Sequence, residues 1–136
     1  MKVIIDTNII IDILQHREPY FQDSYRTILL GLQEKLETRL SAAAVADIYF
    51  IINQNIDDSK RVQKKIHAIN TLIKICDTTA EDINTALSQT IANFEDAMIA
   101  AIAEREEADF IVTRNEEAFT GSTVPAISPK ELLDRF

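Results

Sequence analysis

Apolar residues follow two rhythms along this chain. Short unbroken runs read as strands buried on both faces: KVIID (2–6), IKIC (73–76) and DFIVT (109–113). RLSA (39–42) and VPAIS (124–128) are shorter candidates of the same kind. Between them, apolar positions recur every three or four residues, the period of a helix with one buried face. That spacing predicts a short helix after Asp6 through Leu14 and one opened by Pro19 that continues through TILLGLQEKLE. It also predicts helices over AAVADIYFIINQ (43–54) and SKRVQKKIHAINTLIK (59–74). Thr79 with Asp82 three residues on resembles a capping box and starts a helix to about Ile91. Asn93 caps FEDAMIAAIAERE. Ser128, Pro129 and Glu131 open the last helix, SPKELLDRF.

Strands that alternate with helices imply βα units, hence a mainly parallel sheet covered by helices on both faces. The 136 residues show no linker, repeat or low-complexity stretch and suit a single domain, residues 1–136. Hydrophobic residues at 46% supply a core without metal or disulfide staples. The lone cysteine, Cys76, lies in an apolar run and reads as a small buried hydrophobe in a reducing cytoplasm. No signal peptide and no membrane-length apolar run is visible, so a soluble cytoplasmic protein with no membrane partner is expected.

Net charge is −8. Binding nucleic acid through a broad basic face is therefore disfavoured, whereas a divalent cation among carboxylates would reverse the local sign. The first strand ends in Asp6, and in open parallel sheets the ligand crevice lies at the carboxyl ends of the strands. Asp47 lies in the AVADIYF helix and Asp96 in the first turn of FEDAMIAAIAE, and the segment TRN (113–115) follows the strand DFIVT. Clustered carboxylates repel unless a hard cation neutralises them, and oxygen-only donors suit Mg²⁺ or Mn²⁺. Each acid also has a plain structural reading. Asp6 would cap the following helix, Asp96 would favour a positive helix end, Asp47 would be solvated, and Asp12 would cap or form a salt bridge.

Taken in order, VIIDTNIIIDIL, AAAVADIYFII, NFEDAMIAAIAE and ADFIVTRNEEAF resemble the PIN domain family, in its bacterial branch of VapC-like ribonuclease toxins. The resemblance covers nearly the whole chain. It implies a three-layer α/β/α sandwich and metal-dependent cleavage of RNA. Under it, Asp6, Asp47 and Asp96 match the metal-binding acids and Asn8 matches a polar residue that supports the first. Asn115 stands where many relatives carry an aspartate, and Ala118 stands where others do. Glu116 and Glu117 are nearby without matching either position. The site expected from the resemblance is thus Asp6, Asp47, Asp96, Asn8 and Asn115, with Mg²⁺ or Mn²⁺ as cofactor, RNA as substrate and an antitoxin protein as partner.

Around that core, Thr113 and Arg114 read as site support and phosphate contact, or as an ordinary strand end. Lys60, Arg61, Lys64 and Lys65 are either a solvated helical face or a hold on an RNA backbone. The stripe Ile28, Leu29, Leu32 and Leu36 on a helix spanning 20–37 suggests a homodimer. Two competing functions stand beside the nuclease. One is a PIN-like interaction module whose fourth acidic position no longer supports turnover. The other is an aspartyl phosphotransfer domain, disfavoured because DTN lacks a second aspartate.

Overall fold

The computed structural model describes all of residues 1–136. Five parallel strands, β1 (Lys2–Ile5), β2 (Glu37–Ser41), β3 (Lys74–Cys76), β4 (Phe110–Val112) and β5 (Ala126–Ile127), form one sheet in the order β3-β2-β1-β4-β5. β1 is central. Val3 and Ile5 point into one core, and Ile4 into the other. This period-2 alternation is why the run is apolar at every position.

The first core packs α1 (Thr7–Leu14), α2 (Phe21–Leu32), α3 (Ala42–Ile56), α4 (Ser59–Leu72) and α7 (Pro129–Leu133), with Ile9, Leu40, Ile48, Ile52 and Leu132 inaccessible to solvent. The second packs α5 (Ala80–Ser88) and α6 (Phe94–Arg105), whose Ala97, Ala100, Ala101 and Ala103 let the helix lie close on Ile4 and Ile111. The result is the expected α/β/α sandwich. No helix is long and apolar enough to cross a membrane.

All three predicted caps form. Thr79 and Asp82 make both bonds of a capping box, Asn93 accepts from the Asp96 amide, and Ser128 accepts from the Glu131 amide with Pro129 following it. Three boundaries differ from expectation. Pro19 lies before α2, which begins at Phe21. The helix expected over 20–37 stops at Leu32, and the chain turns through a left-handed Glu34 into β2. Gly31 explains the sharpness of that turn: a Cβ there would stand 2.7 Å from the Thr38 Oγ1. Leu36 therefore leaves the predicted stripe and is buried ahead of β2. Ile28 is buried as well, and Leu32 is left exposed. The helix after Thr79 ends at Ser88, three residues early.

Candidate active site

Asp6 follows β1 directly and is the N-cap of α1, so both the strand end and the helix start fix its position. It is 7% exposed. Its Oδ1 accepts from the Thr7 amide at 2.8 Å, and its Oδ2 accepts from the Thr113 hydroxyl at 2.7 Å. Burial dominates over these two bonds and pushes the Asp6 carboxyl up to about 6, and the nearby Asp96 adds to the rise. The plain reading of Asp6 as a helix cap is thus correct but incomplete. A cap needs one oxygen, whereas this carboxylate is buried with both oxygens held.

Asp47 and Asp96 line the same cleft as Asp6, of about 320 Å³, together with Ser41, Phe94 and Glu95. The cleft opens at the carboxyl ends of β1 and β2, where α3 and α6 begin. Asp96 is held there because the Asn93 side chain caps its amide at 3.1 Å. Burial raises its carboxyl above the ordinary value. Asp47 sits half-buried on α3. None of the three acids forms a salt bridge with a lysine or arginine.

The other expected residues divide. Asn115 reaches a recess adjoining the cleft, shared with Asp96, Glu117 and Ala118, and its amide donates to the Thr113 hydroxyl at 3.0 Å. Asn8 was expected to support the first acid, but it makes no hydrogen bond to Asp6 and does not line the cleft. Two residues along a helix turn a side chain by about 200°, away from its cap. The Asn8 Oδ1 is buried without a partner. The support falls to Thr113, which is fully buried and joins Asp6 to the TRN segment. Arg114 is engaged elsewhere. Its guanidinium grips Asp12 through two bonds, at 2.6 and 3.1 Å, and lies 4.0 Å from the centre of the Tyr20 ring. Glu117, expected to be nearby without a matching position, lines the recess that Asn115 reaches, whereas Ser41 was not anticipated. Ser41 could have been read as the cap of the run AAAV, since its side chain accepts from the Ala44 amide.

The donor set fits a hydrated hard cation. Four carboxylates without salt-bridge partners, those of Asp6, Asp47, Glu95 and Asp96, line one cleft, and that of Asp6 is desolvated at a cost in free energy that a divalent ion would offset. Their side chains do not converge into a three-ligand cage. Mutual repulsion favours such spacing, and Mg²⁺ in particular keeps most of its waters and takes only one or two carboxylates directly.

A strand-terminal aspartate, an aspartate in the first turn of a small-residue helix and a threonine bridging the two central strands define the class at the level of fold and site. The chain belongs to the PIN domain family, whose model matches residues 2–117. It is 20% identical over 140 residues to the ribonuclease VapC1 of Aquifex aeolicus, an alignment covering 99% of this chain and 95% of that protein. Its fold is similar to a chain of the VapBC2 complex of Rickettsia felis bound to a promoter DNA fragment (TM-score 0.74, 18% identity, 94% of this chain and 98% of that one). It is also similar to VapC20 of Mycobacterium tuberculosis, a toxin that cleaves the sarcin-ricin loop (TM-score 0.63, 14% identity, 80% and 86% covered).

Proposed function

We propose that the protein is a cytoplasmic endoribonuclease that hydrolyses RNA phosphodiester bonds with Mg²⁺ or Mn²⁺, acting as the toxin of a toxin–antitoxin pair. The observation that carries this reading is the presence of Asp6, Asp47 and Asp96 along one cleft, with no cationic side chain bonded to any of them. The family and the ribonuclease relative support the reaction class. The VapBC neighbour supports an antitoxin as partner. A bound divalent ion would supply charge neutralisation and a more acidic water. Asp6 would hold that ion, and Thr113 and the Thr7 amide keep its carboxylate aimed. Asp96 and Asp47 would hold the ion or its waters from the two helices that flank the cleft. Asn115 stands beside Asp96, where it would bond to a water or a phosphate oxygen. Self-association through Leu32 and its half-buried neighbours Leu29 and Leu30 on α2 belongs to the same proposal.

Metal-dependent cleavage of total RNA tests the reaction. Asp6→Asn, Asp47→Asn and Asp96→Asn should each remove the activity while the chain stays folded, and EDTA should do the same to the parent. Loss of several kcal/mol of transition-state stabilisation corresponds to a rate on the order of 10³-fold slower. Cleavage that survives both EDTA and all three substitutions would overturn the mechanism. The open spacing of the carboxylates and the amide of Asn115 favour a second reading, a PIN-like interaction module that turns over weakly or not at all. Tight Mn²⁺ binding that depends on Asp6, without cleavage of any RNA, would select it.

A further inference from the structure

α3 forms one wall of a second groove, about 370 Å³, on the side away from the acidic cleft. The two hollows lie on opposite faces of that helix. Ala43 and Asp47 line the cleft, and their neighbours Ala42 and Tyr49 line the groove. Its floor is apolar, with Ile66 and with Ile75 of the edge strand β3. Its far wall is α4, which presents Gln63, His67 and Asn70 at positions i, i+4 and i+7. A helix packed on a neighbour ordinarily turns an apolar stripe at that spacing. α4 does so with Val62, Ile66 and Ile69, and Gln63, His67 and Asn70 stand exposed beside that stripe, their side chains, like the Tyr49 hydroxyl, forming no hydrogen bond within the protein.

The charge on α4 is as distinctive as its polarity. The helix carries Lys60, Arg61, Lys64 and Lys65 and no acid, in a chain of net charge −8. None of these four cations has a salt-bridge partner. Helical geometry sets Lys60 and Lys64 one turn from Gln63 and His67, on the solvent rim of the groove. An apolar floor, an aromatic wall, amide and imidazole groups free to bond, and a cationic rim together match an unpaired nucleotide. A base needs surface to stack on and partners for its edge, and its phosphate needs positive charge.

We propose that the α3–α4 groove is a base-reading subsite for single-stranded RNA. It receives an unpaired base of the strand whose phosphate the acidic cleft would hold, across the width of α3 from that phosphate, with Tyr49 as the stacking surface and Gln63, His67 and Asn70 as edge readers. Lys60 and Lys64 carry the backbone past the rim. This rests on the ribonuclease reading and adds to it the element that would choose among RNA sequences.

The test is fluorescence anisotropy with short single-stranded oligoribonucleotides of one base each, and with an abasic strand of the same length. The Asp6→Asn chain with Mg²⁺ serves as the background, so that nothing is cut. Adding Gln63→Ala with His67→Ala should weaken binding of at least one base-bearing strand about tenfold and leave the abasic strand unchanged. Adding Lys60→Ala with Lys64→Ala should weaken both kinds of strand alike and flatten the salt dependence. Equal effects of the first pair on both strands, or none, would overturn the subsite, as would crosslinks showing this groove buried between two copies of the chain or under a protein partner. The two levels separate cleanly. If the otherwise unmodified chain cleaves RNA and Gln63→Ala with His67→Ala leaves its choice of sequence unchanged, the subsite fails and the nuclease stands. If base-dependent binding is lost in that variant but no metal supports cleavage by the parent, the nuclease fails and the subsite stands. A parent that binds no RNA refutes both.

Discussion

Three aspartates are buried in this fold, two set against arginines and one not, and the two kinds are treated oppositely. Asp12 and Asp82 are 0% and 2% exposed, and each is gripped by an arginine. Arg114 holds the first, joining α1 to the chain beyond β4. Arg105 holds the second, joining α6 to α5, and reaches on to the Asp77 carbonyl. Burial raises the Asp82 carboxyl, but the bonds from Arg105 and Thr79 outweigh it, and the net shift is downward. Asp6 is almost as buried, has only a hydroxyl and an amide as partners, and its carboxyl is pushed up to about 6. The first kind ties elements together. The second holds negative charge at a cleft mouth at a cost to the fold. An arginine lies within electrostatic reach of Asp6, yet its two-bond grip is on Asp12. A carboxylate left without a cation where one was at hand is what the proposed divalent-ion site calls for.

The largest effect expected on stability comes from the gripped set. Removing one member of a buried pair strands the other's charge, which costs about 3–5 kcal/mol. Arg114 and Arg105 are partly open to water, so Arg114→Met and Arg105→Met should each cost about 3 kcal/mol, at the low end of that range. Urea denaturation at neutral pH measures this. A change within about 0.5 kcal/mol, the size of an ordinary surface substitution, would mean that the pairs do not secure the helices and that the contrast with Asp6 is false.

Asp6 should respond with the opposite sign. Its folded-state pKa exceeds the unfolded value, so the folded chain binds its proton more tightly. Metal-free stability should therefore fall as pH rises from about 4 through about 6, with the full cost present above that range. Asp82, with its lowered pKa, works the other way and loses its contribution as pH falls through the acid range. A rise from 3.8 to about 6 corresponds to roughly 3 kcal/mol. Asn at position 6 keeps the helix cap but loses one of the two oxygen acceptors, so Asp6→Asn should stabilise the metal-free protein by about 2 kcal/mol at pH 7. The gain should disappear near pH 4. Thermal melts in EDTA across that range check it, and destabilisation at every pH would make Asp6 a cap and nothing more.

The contrast between the two kinds was only half legible in the sequence. The sheet was readable because strands buried on both faces leave unbroken apolar runs, and the caps were readable because their chemistry is local. Asp6 stood out for the same reason, as a carboxylate ending a buried run. The pairing of Asp12 with Arg114 spans 102 positions, and nothing local announces it. Asp12 read as a cap or a salt-bridge residue, and the grip of Arg114 bears out the second, whereas the plain reading of Asp47 as solvated missed that it lines the cleft half-buried. Asn8 misled because adjacency in sequence is not adjacency on a helix. Leu36 misled because the spacing of apolar residues ran on past Leu32, where the helix ends and the chain turns through a left-handed Glu34. Thr113 was ambiguous, since a threonine at a strand end needs no function until its hydroxyl is seen to meet Asp6.

The smallest effect sharpens the contrast at the position where the family resemblance leads to an aspartate and this chain carries Asn115. Asn115 shares a recess with Asp96 and Glu117, and its backbone is tied through Thr113 to Asp6. Asn115→Asp would add a carboxylate to the recess that Asp96 and Glu117 line, without changing side-chain shape. In the absence of metal the new charge repels Asp96, whose carboxyl burial has already raised, so the pair should hold a proton at higher pH than Asp96 does alone. Position 115 is exposed, so water screens the repulsion and the metal-free chain should lose only about 0.5–1 kcal/mol. With Mn²⁺ the sign reverses, because an added oxygen donor of full charge strengthens a hard-cation site. Binding should tighten about tenfold, equivalent to about 1.4 kcal/mol, and melting temperature should rise with Mn²⁺ more steeply than in the parent. Calorimetric titration with Mn²⁺ reads this directly and independently of cleavage. An unchanged affinity would show that position 115 does not face the acids, and the departure at Asn115 would then have no bearing on how this cleft holds an ion.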